Sequence, residues 1–503
     1  MNDVSTVANA VKVTVTTLGC ARNEVDSSEI AARLATGGYE LIPDQQDADV
    51  VVVNTCAFVA DAKKDSIDTL LAAAETGAKV VAVGCLAERY GQELADALPE
   101  ADAVLGFDSY PDLAGLVGSV VHGERPAAHT PVDRRTLLPI SPVSRTAAAT
   151  AVSVPGHAQA ADFAGSSAIA QGPPLLRRLL QAGPVAPLKI ASGCDRRCTF
   201  CAIPSFRGAF VSRSPDEIVA EAAWLAEQGI REIVLVSENS TSYGKDLPGR
   251  DQLERLMGRL SGLTVDRPQG QPGGLVRVRL SYLQPAETRP GLITAIAQSP
   301  GVADYYDMSF QHASEPVLRR MKRFGSRPSF LALCEQIRAA APQAGIRSNV
   351  IVGFPGETED DVAELEAFLV GARMDAVGVF GYSDEDGTAA ADLPDKLDDD
   401  TIAERVTRIT ELVEELTAQR AEDRVGTDVL VLVDEPDPSE PDEVVGRADH
   451  QAPEVDGTTT LTGGGGLRPG DLVRARVVGT EGIDLVADVL EVVDPAGSGR
   501  APR

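Results

Sequence analysis

Two long runs of alternating strand-like and helix-like segments constrain the fold of this chain more than any other feature. In the first run, apolar segments typical of buried parallel strands alternate with segments of helical periodicity. The predicted strands are 11–18, 50–53 and 78–83, and the predicted helices are 24–34, 61–75 and 87–98. A strand–helix repeat of this kind folds into a parallel sheet covered on both faces. We therefore predict an α/β domain with a small doubly wound parallel sheet.

The second run is longer and begins at residue 188. Its predicted strands are 188–191, 232–237, 276–281, 305–309, 348–352 and 376–382, with helical segments such as 216–228, 290–297 and 360–370 between them. Six such units are fewer than the eight of a closed β/α barrel, so this run predicts a partial one. In barrels of this type the active site lies at the carboxyl ends of the strands.

The remaining segments differ in character. Residues 126–182 are dominated by Ala, Ser, Pro and Gly without periodicity, which predicts a flexible linker or insertion. After a charged amphipathic helix at 395–424, five short strands separated by turn residues predict a small, OB-like β-barrel. These strands are 429–433, 444–447, 458–461, 472–478 and 484–489. The predicted domains are 9–125, 183–415 and 418–494, with the linker at 126–182.

Three cysteines lie in one short loop directly after the first strand of the second run. They are Cys194, Cys198 and Cys201, separated by three and then two residues. Soft thiolates select zinc, copper(I) or iron–sulfur clusters. Structural zinc prefers four ligands, whereas a four-iron cluster held by three cysteines keeps one iron open. The loop therefore predicts such a cluster, and the alternatives are incidental cysteines or an incomplete zinc site.

Three further cysteines each follow a strand of the first run. Cys20, Cys56 and Cys85 would meet at the carboxyl edge of the parallel sheet, where ligands bind in open α/β folds. Any one of them alone could be a buried small hydrophobic residue. Their repeated placement predicts a second metal site. The seventh cysteine, Cys334, lies in a helical segment and is predicted to be a core residue.

Other polar residues near strand ends are weaker candidates. Gln311 follows the fourth strand and Asn349 lies on the fifth, so both could face a bound cosubstrate or be hydrogen-bonded interior groups. Glu238 and Asn239, after the second strand, are similar. His312 is predicted to be structural or substrate-facing rather than a base. Residues 353–356 predict a turn into a helix that Thr358 caps together with Asp361.

The formal net charge of −29 bears on partners and location. An acidic surface repels phosphate backbones and attracts a basic protein. No apolar run approaches the ~20 residues that span a bilayer, and residues 1–10 do not resemble a secretory signal. We therefore expect a cytoplasmic protein with no membrane association. The odd number of cysteines argues against a disulfide framework.

Several motifs together resemble a known family. The loop from Cys194 to Cys201 resembles the signature of radical S-adenosylmethionine enzymes, and the three-part layout resembles the methylthiotransferases among them. Further matching segments are LGCARNEVDS at 18–27, IPSFRG at 203–208, QHAS at 311–314, VGFPGET at 352–358 and YSDEDGT at 382–388. The resemblance covers nearly the whole chain outside the long linker, which compact members lack. It implies a radical S-adenosylmethionine core followed by a TRAM domain.

The resemblance also implies the chemistry. The cluster on Cys194, Cys198 and Cys201 would bind and cleave S-adenosylmethionine, and the resulting radical would abstract hydrogen from the β-carbon of an aspartate. A second 4Fe-4S cluster on Cys20, Cys56 and Cys85 would supply the methylthio sulfur. The implied substrate is small-subunit ribosomal protein twelve. The sister family that modifies transfer RNA usually has Gln-Ser-Gly-Ser where this chain has QHAS at 311–314.

Two alternatives remain at this point. One is a transfer-RNA methylthiotransferase with the same chemistry. The predicted final barrel argues against it, because residues 429–494 hold only four basic residues, all arginines, among many acidic ones. An acidic barrel suits a basic ribosomal protein, so we expect the barrel to dock that protein and direct nucleic-acid binding is not favoured. The other alternative is a non-enzymatic electron carrier with two clusters.

Overall fold

A computed structural model describes residues 10–139, 141–142, 145–148, 152–157, 177–265, 273–436, 444–453 and 455–497. The chain forms two compact units. The first comprises Met1–Gln181, Ser192–Cys194 and Ile203–Arg213, and the second comprises Ala182–Ala191, Asp195–Ala202 and Ser214–Arg503.

Strands and helices alternate along most of the described residues. The strands are β1 Lys12–Thr17, β2 Glu40–Leu41, β3 Val50–Thr55, β4 Lys79–Val83, β5 Ala103–Val104, β6 Val185–Lys189, β7 Ala191–Ser192, β8 Val211–Ser212, β9 Glu232–Val236, β10 Arg277–Leu280, β11 Tyr305–Gln311, β12 Gly345–Val352, β13 Ala376–Gly381, β14 Asp428–Pro436, β15 Val444–Ala448, β16 Thr459–Thr462, β17 Leu472–Glu481 and β18 Asp484–Asp494. The α-helices are α1 Ala21–Thr36, α2 Ala60–Glu75, α3 Gly84–Tyr90, α4 Gln92–Ala97, α5 Leu113–Val121, α6 Arg145–Ala148, α7 Ile203–Arg207, α8 Pro215–Glu227, α9 Gln252–Val265, α10 Pro290–Gln298, α11 Glu315–Arg320, α12 Arg327–Ala340, α13 Glu359–Ala372 and α14 Asp399–Glu422.

The first unit is built on a five-stranded parallel sheet in the order β2-β1-β3-β4-β5. Every residue of the central strand β3 is buried, as expected for a strand covered on both faces. The predicted α/β doubly wound sheet is therefore confirmed. The two edge strands, β2 and β5, have two residues each and are too short to show a periodic pattern.

Part of the predicted linker packs on this unit. The Arg134 guanidinium donates to Glu88 Oε1 at 3.0 Å and to the Ser153 carbonyl at 2.6 Å. The Gly156 amide donates to Glu29 Oε2 at 2.8 Å. These contacts satisfy buried polar groups, so the described residues around 134 and 156 are structural parts of the unit. Residues 158–176 of the predicted linker lie outside the described residues.

The second unit carries six longer parallel strands in two groups, β10-β9-β6 and β11-β12-β13. Isolated parallel bridges, Val278 with Val302 and Leu283 with Met308, link the two groups. The outer strands are β6 and β13. This is the open β/α arrangement that the sequence predicts.

The last five strands close into a barrel in the order β14-β15-β16-β18-β17. Its interior is formed by small aliphatic residues that alternate with outward-facing ones, including Val431, Leu461, Val473 and Ala487. The predicted OB-like barrel is confirmed.

Buried arginines fasten this barrel to the amino ends of the parallel strands. Arg277, the first residue of β10, donates to the carbonyls of Arg447 and Leu430 at 3.0 and 2.9 Å. Arg279 donates to the Asp449 carbonyl at 2.7 Å. Both arginines, together with Arg447, surround the fully buried carboxylate of Glu232. The barrel therefore lies at the edge of the sheet opposite to the carboxyl ends of these strands.

Among the described residues, none of the helices combines the length and the apolar character needed to cross a bilayer.

Candidate metal centres

The first unit brings the surroundings of Cys20, Cys56 and Cys85 together at the carboxyl edge of its sheet. Cys20 immediately precedes α1, Cys56 follows β3, and Cys85 lies in the first turn of α3 after β4. Gly19 has a φ of +89°, and a Cβ added there would lie 2.8 Å from Cys56 Sγ. At Gly84, φ +87°, a Cβ would lie 2.7 Å from the Thr55 carbonyl oxygen. Glycine is therefore required beside two of the cysteines because neighbouring loops approach so closely.

Asn23 ties these loops to one another. Its Nδ2 donates to the Leu18 carbonyl at 2.8 Å and to the Thr55 carbonyl at 3.2 Å, on the loops of Cys20 and Cys56. Asn54, at the end of β3, donates back to the Asn23 carbonyl at 2.9 Å. Since both asparagines are buried, the network fixes the loops that carry two of the three thiols.

Arg207 reaches the third cysteine. Its side chain is only 4% exposed, and its guanidinium donates to Cys85 Sγ at 3.0 Å, to Asn23 Oδ1 at 2.8 Å and to Asp26 Oδ2 at 2.8 Å. The same group lies 4.9 Å from the centre of the Phe107 ring. Arg207 and Asn23 fall within segments that matched the family, but the sequence alone assigned them no role.

The pKa values of the three thiols are shifted differently by their surroundings. Burial raises the pKa of the Cys85 thiol to about 11, although Arg207 opposes the shift. Burial also raises the pKa of Cys56, and the neighbouring Cys20 contributes in the same direction. At Cys20 burial acts to raise the pKa, but Arg22, whose Nε donates to Cys20 Sγ at 3.3 Å, lowers it overall. Each thiol is thus within electrostatic range of another thiol or of an arginine.

This donor set fits an iron–sulfur cluster better than a single ion. Among the described residues, no three His, Cys, Asp or Glu side chains are grouped as they would be around one metal ion. Cysteines that hold a four-iron cluster each bind a different iron, so their sulfurs lie farther apart than ligands of one ion. Thiolate donors, close glycine backbones and hydrogen bonds to sulfur are the features that such a cluster requires.

In the cysteine loop at 194–201, the backbone of Cys194 is fixed within the first unit. Its amide donates to the Gly208 carbonyl at 3.0 Å. The preceding Gly193 has a φ of +80°, and a Cβ there would lie 2.8 Å from the Gly208 carbonyl oxygen. The position before Cys194 therefore has to be glycine.

Cys198 and Cys201 lie in the second unit, where the backbone between them is held on both sides. The Thr199 amide donates to the Met321 carbonyl at 3.2 Å, and the Thr199 carbonyl accepts from the Ala390 amide at 2.8 Å. The Arg323 guanidinium lies 3.6 Å from Cys198 Sγ. Arg323 therefore donates a hydrogen bond to this sulfur, a contact of the kind that orients a metal ligand.

Arg196, between two cysteines of the loop, is anchored by Glu287. Its guanidinium lies 2.7 Å from Glu287 Oε1, and Glu287 also accepts from Asn239 Nδ2 at 3.2 Å and pairs with Lys245. Burial opposes ionisation of Glu287, but Lys245 and Arg196 lower its pKa to about 2. Asn239 is therefore part of the loop support, whereas the role of Glu287 could not be seen in the sequence because its partners are distant in the chain.

The weaker candidates occupy the carboxyl edge of β11 and the middle of β12. Gln311 ends β11 with a φ of +70°, a conformation that costs energy for any residue other than glycine and is often found at functional sites. Asn349 accepts from Arg347 Nη2 at 3.1 Å, and Gly378 on β13 leaves room for it, since a Cβ there would lie 2.5 Å from Asn349 Oδ1.

Other predicted roles are structural. His312 is fully buried, its Nδ1 accepts from the Ser314 amide at 3.0 Å, and its Nε2 lies 3.2 Å from Glu357. Thr358 caps α13 in a capping box with Asp361, so the predicted turn and helix start are confirmed. Cys334 is buried on α12, and burial raises the pKa of its thiol to about 11, as expected for a core residue.

Comparison with family models assigns a class to each part of this architecture. Residues 12–106 match an uncharacterised protein family, UPF0004, residues 188–369 match the radical SAM superfamily, and residues 425–490 match the TRAM domain. The partial barrel with its three-cysteine loop thus defines a radical S-adenosylmethionine protein.

Curated relatives define the family within that class. The chain is 61% identical to the ribosomal protein uS12 methylthiotransferase RimO of Saccharopolyspora erythraea, over 94% of each chain. It is 58% identical to the RimO of Streptomyces coelicolor, over 95% of this chain and 96% of that one. The chain therefore belongs to the RimO family of radical S-adenosylmethionine methylthiotransferases.

A solved structure supports the fold. The radical S-adenosylmethionine methyltransferase TsrM from Kitasatospora setae, with cobalamin and a 4Fe-4S cluster bound, matches with a TM-score of 0.52 at 15% identity. The match covers 76% of this chain and 74% of that one. At this level of identity the likeness concerns the fold alone.

Proposed function

We propose that this chain attaches a methylthio group to an aspartate of ribosomal protein uS12, using S-adenosylmethionine and two 4Fe-4S clusters. The main support is 61% identity to a uS12 methylthiotransferase over 94% of both chains. The geometry adds that Cys20, Cys56 and Cys85 stand on adjoining loops at one sheet edge. An electron carrier has no need of the partial barrel and the third domain that this chain also possesses.

The six cysteines have two roles in this proposal. Cys194, Cys198 and Cys201 would hold the cluster that binds S-adenosylmethionine, and Cys20, Cys56 and Cys85 would hold the auxiliary cluster. When bound, the first cluster and S-adenosylmethionine would supply a carbon radical able to remove an unactivated hydrogen. The auxiliary cluster would supply the sulfur that replaces this hydrogen.

Other residues of the chain hold the two cysteine sites in position. Glu287, through Arg196, holds the loop of the first site, while Thr199 locks the segment between Cys198 and Cys201. Asn23 and Arg207 hold the second site. Gln311, in its strained conformation at the end of β11, and Asn349 are our candidates for contacts with S-adenosylmethionine. No acid or base residue is needed for hydrogen abstraction, and we assign none.

The surface of the final barrel supports a protein substrate. Of its four arginines between 429 and 494, Arg447 is buried against Glu232 and Asp434. The other three lie at the surface, each paired with an acidic residue: Arg468 with Asp471, Arg474 with Glu491 and Arg476 with Asp428. Such a surface lacks the basic stripe of an RNA-binding barrel and complements a basic ribosomal protein. We propose that the barrel docks uS12.

The decisive experiment is an anaerobic reaction of the reconstituted full-length chain with S-adenosylmethionine, a reductant and either uS12 or transfer RNA. We expect uS12 to gain the mass of one methylthio group on an aspartate, with formation of 5′-deoxyadenosine. The same gain on transfer RNA would favour the other methylthiotransferase activity. Absence of 5′-deoxyadenosine would contradict the enzymatic proposal altogether.

Cysteine variants separate the two sites. Cys198→Ala is expected to abolish both 5′-deoxyadenosine formation and methylthio transfer. Cys85→Ala is expected to abolish transfer while 5′-deoxyadenosine still forms. Cys334→Ala is the control, because Cys334 is a core cysteine on α12 far along the chain from both sets. Loss of 5′-deoxyadenosine in Cys85→Ala alone would contradict this division of roles.

Two further assignments accompany the proposal. We place the protein in the cytoplasm, where ribosomal proteins are made. We place the domain boundaries at 9–125, 183–415 and 418–494, with the segment 126–182 between the first two.

A further inference from the structure

Arg207 is a buried arginine whose guanidinium contacts one of the proposed metal ligands. It lies on α7, which follows Cys201 closely in the chain, yet its side chain is buried among residues of the N-terminal unit. Burying a guanidinium is costly unless every donor finds a partner. Asp26 supplies the opposite charge at 2.8 Å and Asn23 a neutral acceptor at 2.8 Å. The third partner is the Cys85 sulfur at 3.0 Å.

The contact with sulfur would affect the cluster directly, because Cys85 is one of the proposed cluster ligands. A hydrogen bond from a cation to a coordinating thiolate draws electron density away from the metal. Reduction of a 4Fe-4S cluster adds one electron and breaks no bond, so the added negative charge is stabilised by a nearby fixed positive charge. Such hydrogen bonds and charges raise the reduction potential of a cluster.

We propose that Arg207 is a positioning residue for the auxiliary cluster: it fixes the Cys85 sulfur through a charged hydrogen bond and keeps the reduction potential of that cluster high. This inference rests on the proposed function, which assigns Cys20, Cys56 and Cys85 as ligands. It goes beyond that function by naming the group that sets the electronic properties of the sulfur-supplying site.

A second arginine provides a matched control. Arg134 is also 4% exposed, lies in the same unit and stands 5.7 Å from the centre of the same Phe107 ring. Its partners, however, are the carboxylates of Glu88 and Asp108 and the Ser153 carbonyl rather than a cysteine. Replacing either arginine removes one buried positive charge beside Phe107, but only one replacement removes a donor to a ligand sulfur.

The test uses the full-length chain with Cys194, Cys198 and Cys201 changed to Ala, so that only the auxiliary cluster is reconstituted. Iron content is expected at about four atoms per chain. The reduction potential is then measured by redox titration followed by electron paramagnetic resonance. We expect Arg207→Gln to shift the potential to a more negative value and to alter the spectrum, whereas Arg134→Gln leaves both unchanged. Arg207→Lys, which keeps the charge, is expected to restore most of the potential.

Misfolding is controlled by a second variant. Arg207→Gln leaves the Asp26 carboxylate buried without its cation, so the double variant Arg207→Gln, Asp26→Asn removes both charges. We expect this variant to bind iron and to show a negative shift smaller than that of Arg207→Gln, because loss of the Asp26 charge partly offsets loss of the Arg207 charge. An unchanged potential in iron-loaded Arg207→Gln, or an equal shift in Arg134→Gln, would overturn the proposal. If the parent, which keeps Cys20, Cys56 and Cys85, binds no iron, the ligand assignment itself fails and the role of Arg207 fails with it.

Discussion

At the scale of single residues, Gly19 shows how little space the auxiliary site leaves. Its φ of +89° and the 2.8 Å between an added Cβ and Cys56 Sγ exclude any side chain. Gly38, in the same unit, has a nearly identical φ of +92° but nothing within 4 Å of an added Cβ. The two glycines therefore separate backbone strain from collision with a proposed metal ligand.

We predict that Gly19→Ala loses the auxiliary cluster, because the new methyl group displaces Cys56 Sγ. Reconstituted protein should then contain about four iron atoms per chain in place of about eight. Iron analysis and the visible absorption of the clusters provide the measurement.

Gly38→Ala is the control for Gly19→Ala. Both variants should lose about 1–2 kcal/mol of stability through the positive φ, but Gly38→Ala should keep all its iron. Equal iron loss in both variants would show that strain alone, rather than contact with Cys56, weakens the site.

The metal ligands could be predicted at this scale, whereas their supports could not. Each cysteine follows an apolar strand or lies in a short loop, so local sequence suffices to locate it. Arg207 and Cys85 are far apart in the chain, as are Arg196 and Glu287. Contacts of this kind depend on how loops meet in space, and one sequence contains no local pattern for them.

At the scale of secondary-structure elements, the amino ends of β9 and β10 carry the attachment of the barrel. Glu232 opens β9 and is fully buried among Arg277, Arg279 and Arg447. Burial opposes its ionisation, but the three arginines lower its pKa to about 2. The ionised form of Glu232 is thus stabilised by folding.

We predict a specific acid response from Glu232. Since its folded pKa lies below the unfolded value of about 4.3, its contribution to stability is complete above that value and is lost as pH falls towards 2. The free energy of unfolding should fall by roughly 3 kcal/mol over this range through Glu232. Urea unfolding at several pH values should show a weaker pH dependence in Glu232→Gln than in the wild type.

Near neutral pH, Glu232→Gln should itself cost about 3–5 kcal/mol, because it leaves buried arginines without their shared carboxylate. The control is Glu491→Gln on β18, whose partner Arg474 is 48% exposed, and its cost should be about 0–1 kcal/mol. Similar costs for both variants would mean that the buried cluster does not hold the barrel.

Strand β10 also marks the limit of prediction from sequence. Segment 275–280 alternates aliphatic residues with Arg277 and Arg279, a pattern typical of a strand with one face in water. Strand β10 forms as predicted, but both arginines are buried. Periodicity identifies the strand, whereas only the tertiary structure shows that the C-terminal barrel covers its polar face.

At the scale of the whole molecule, the net charge of −29 affects how the protein associates with its partners. Charge of one sign speeds association with a partner of opposite sign, and this effect weakens with added salt. If the barrel docks uS12, the acidic residues exposed on β18 should matter more for binding than acidic residues elsewhere. Asp488 and Glu491 are such residues.

We predict that Asp488→Lys with Glu491→Lys weakens uS12 binding on the order of tenfold at low ionic strength. The matched control, Glu93→Lys with Glu100→Lys, changes the net charge by the same amount at exposed positions of the N-terminal unit. Titration of labelled uS12 at two salt concentrations gives the affinities. An equal loss in both pairs would indicate a general field effect and no docking on the barrel.

The position at which the barrel is attached has a geometric consequence. Its contacts with Arg277, Arg279 and Glu232 lie at the amino ends of the strands, whereas the cysteine loop follows the carboxyl end of β6. A protein held on the barrel must extend along the full depth of the sheet to reach the reacting edge. The enzyme would then select its target by distance, because only a side chain that lies at one distance from the docked surface of the substrate would reach the cysteine loop.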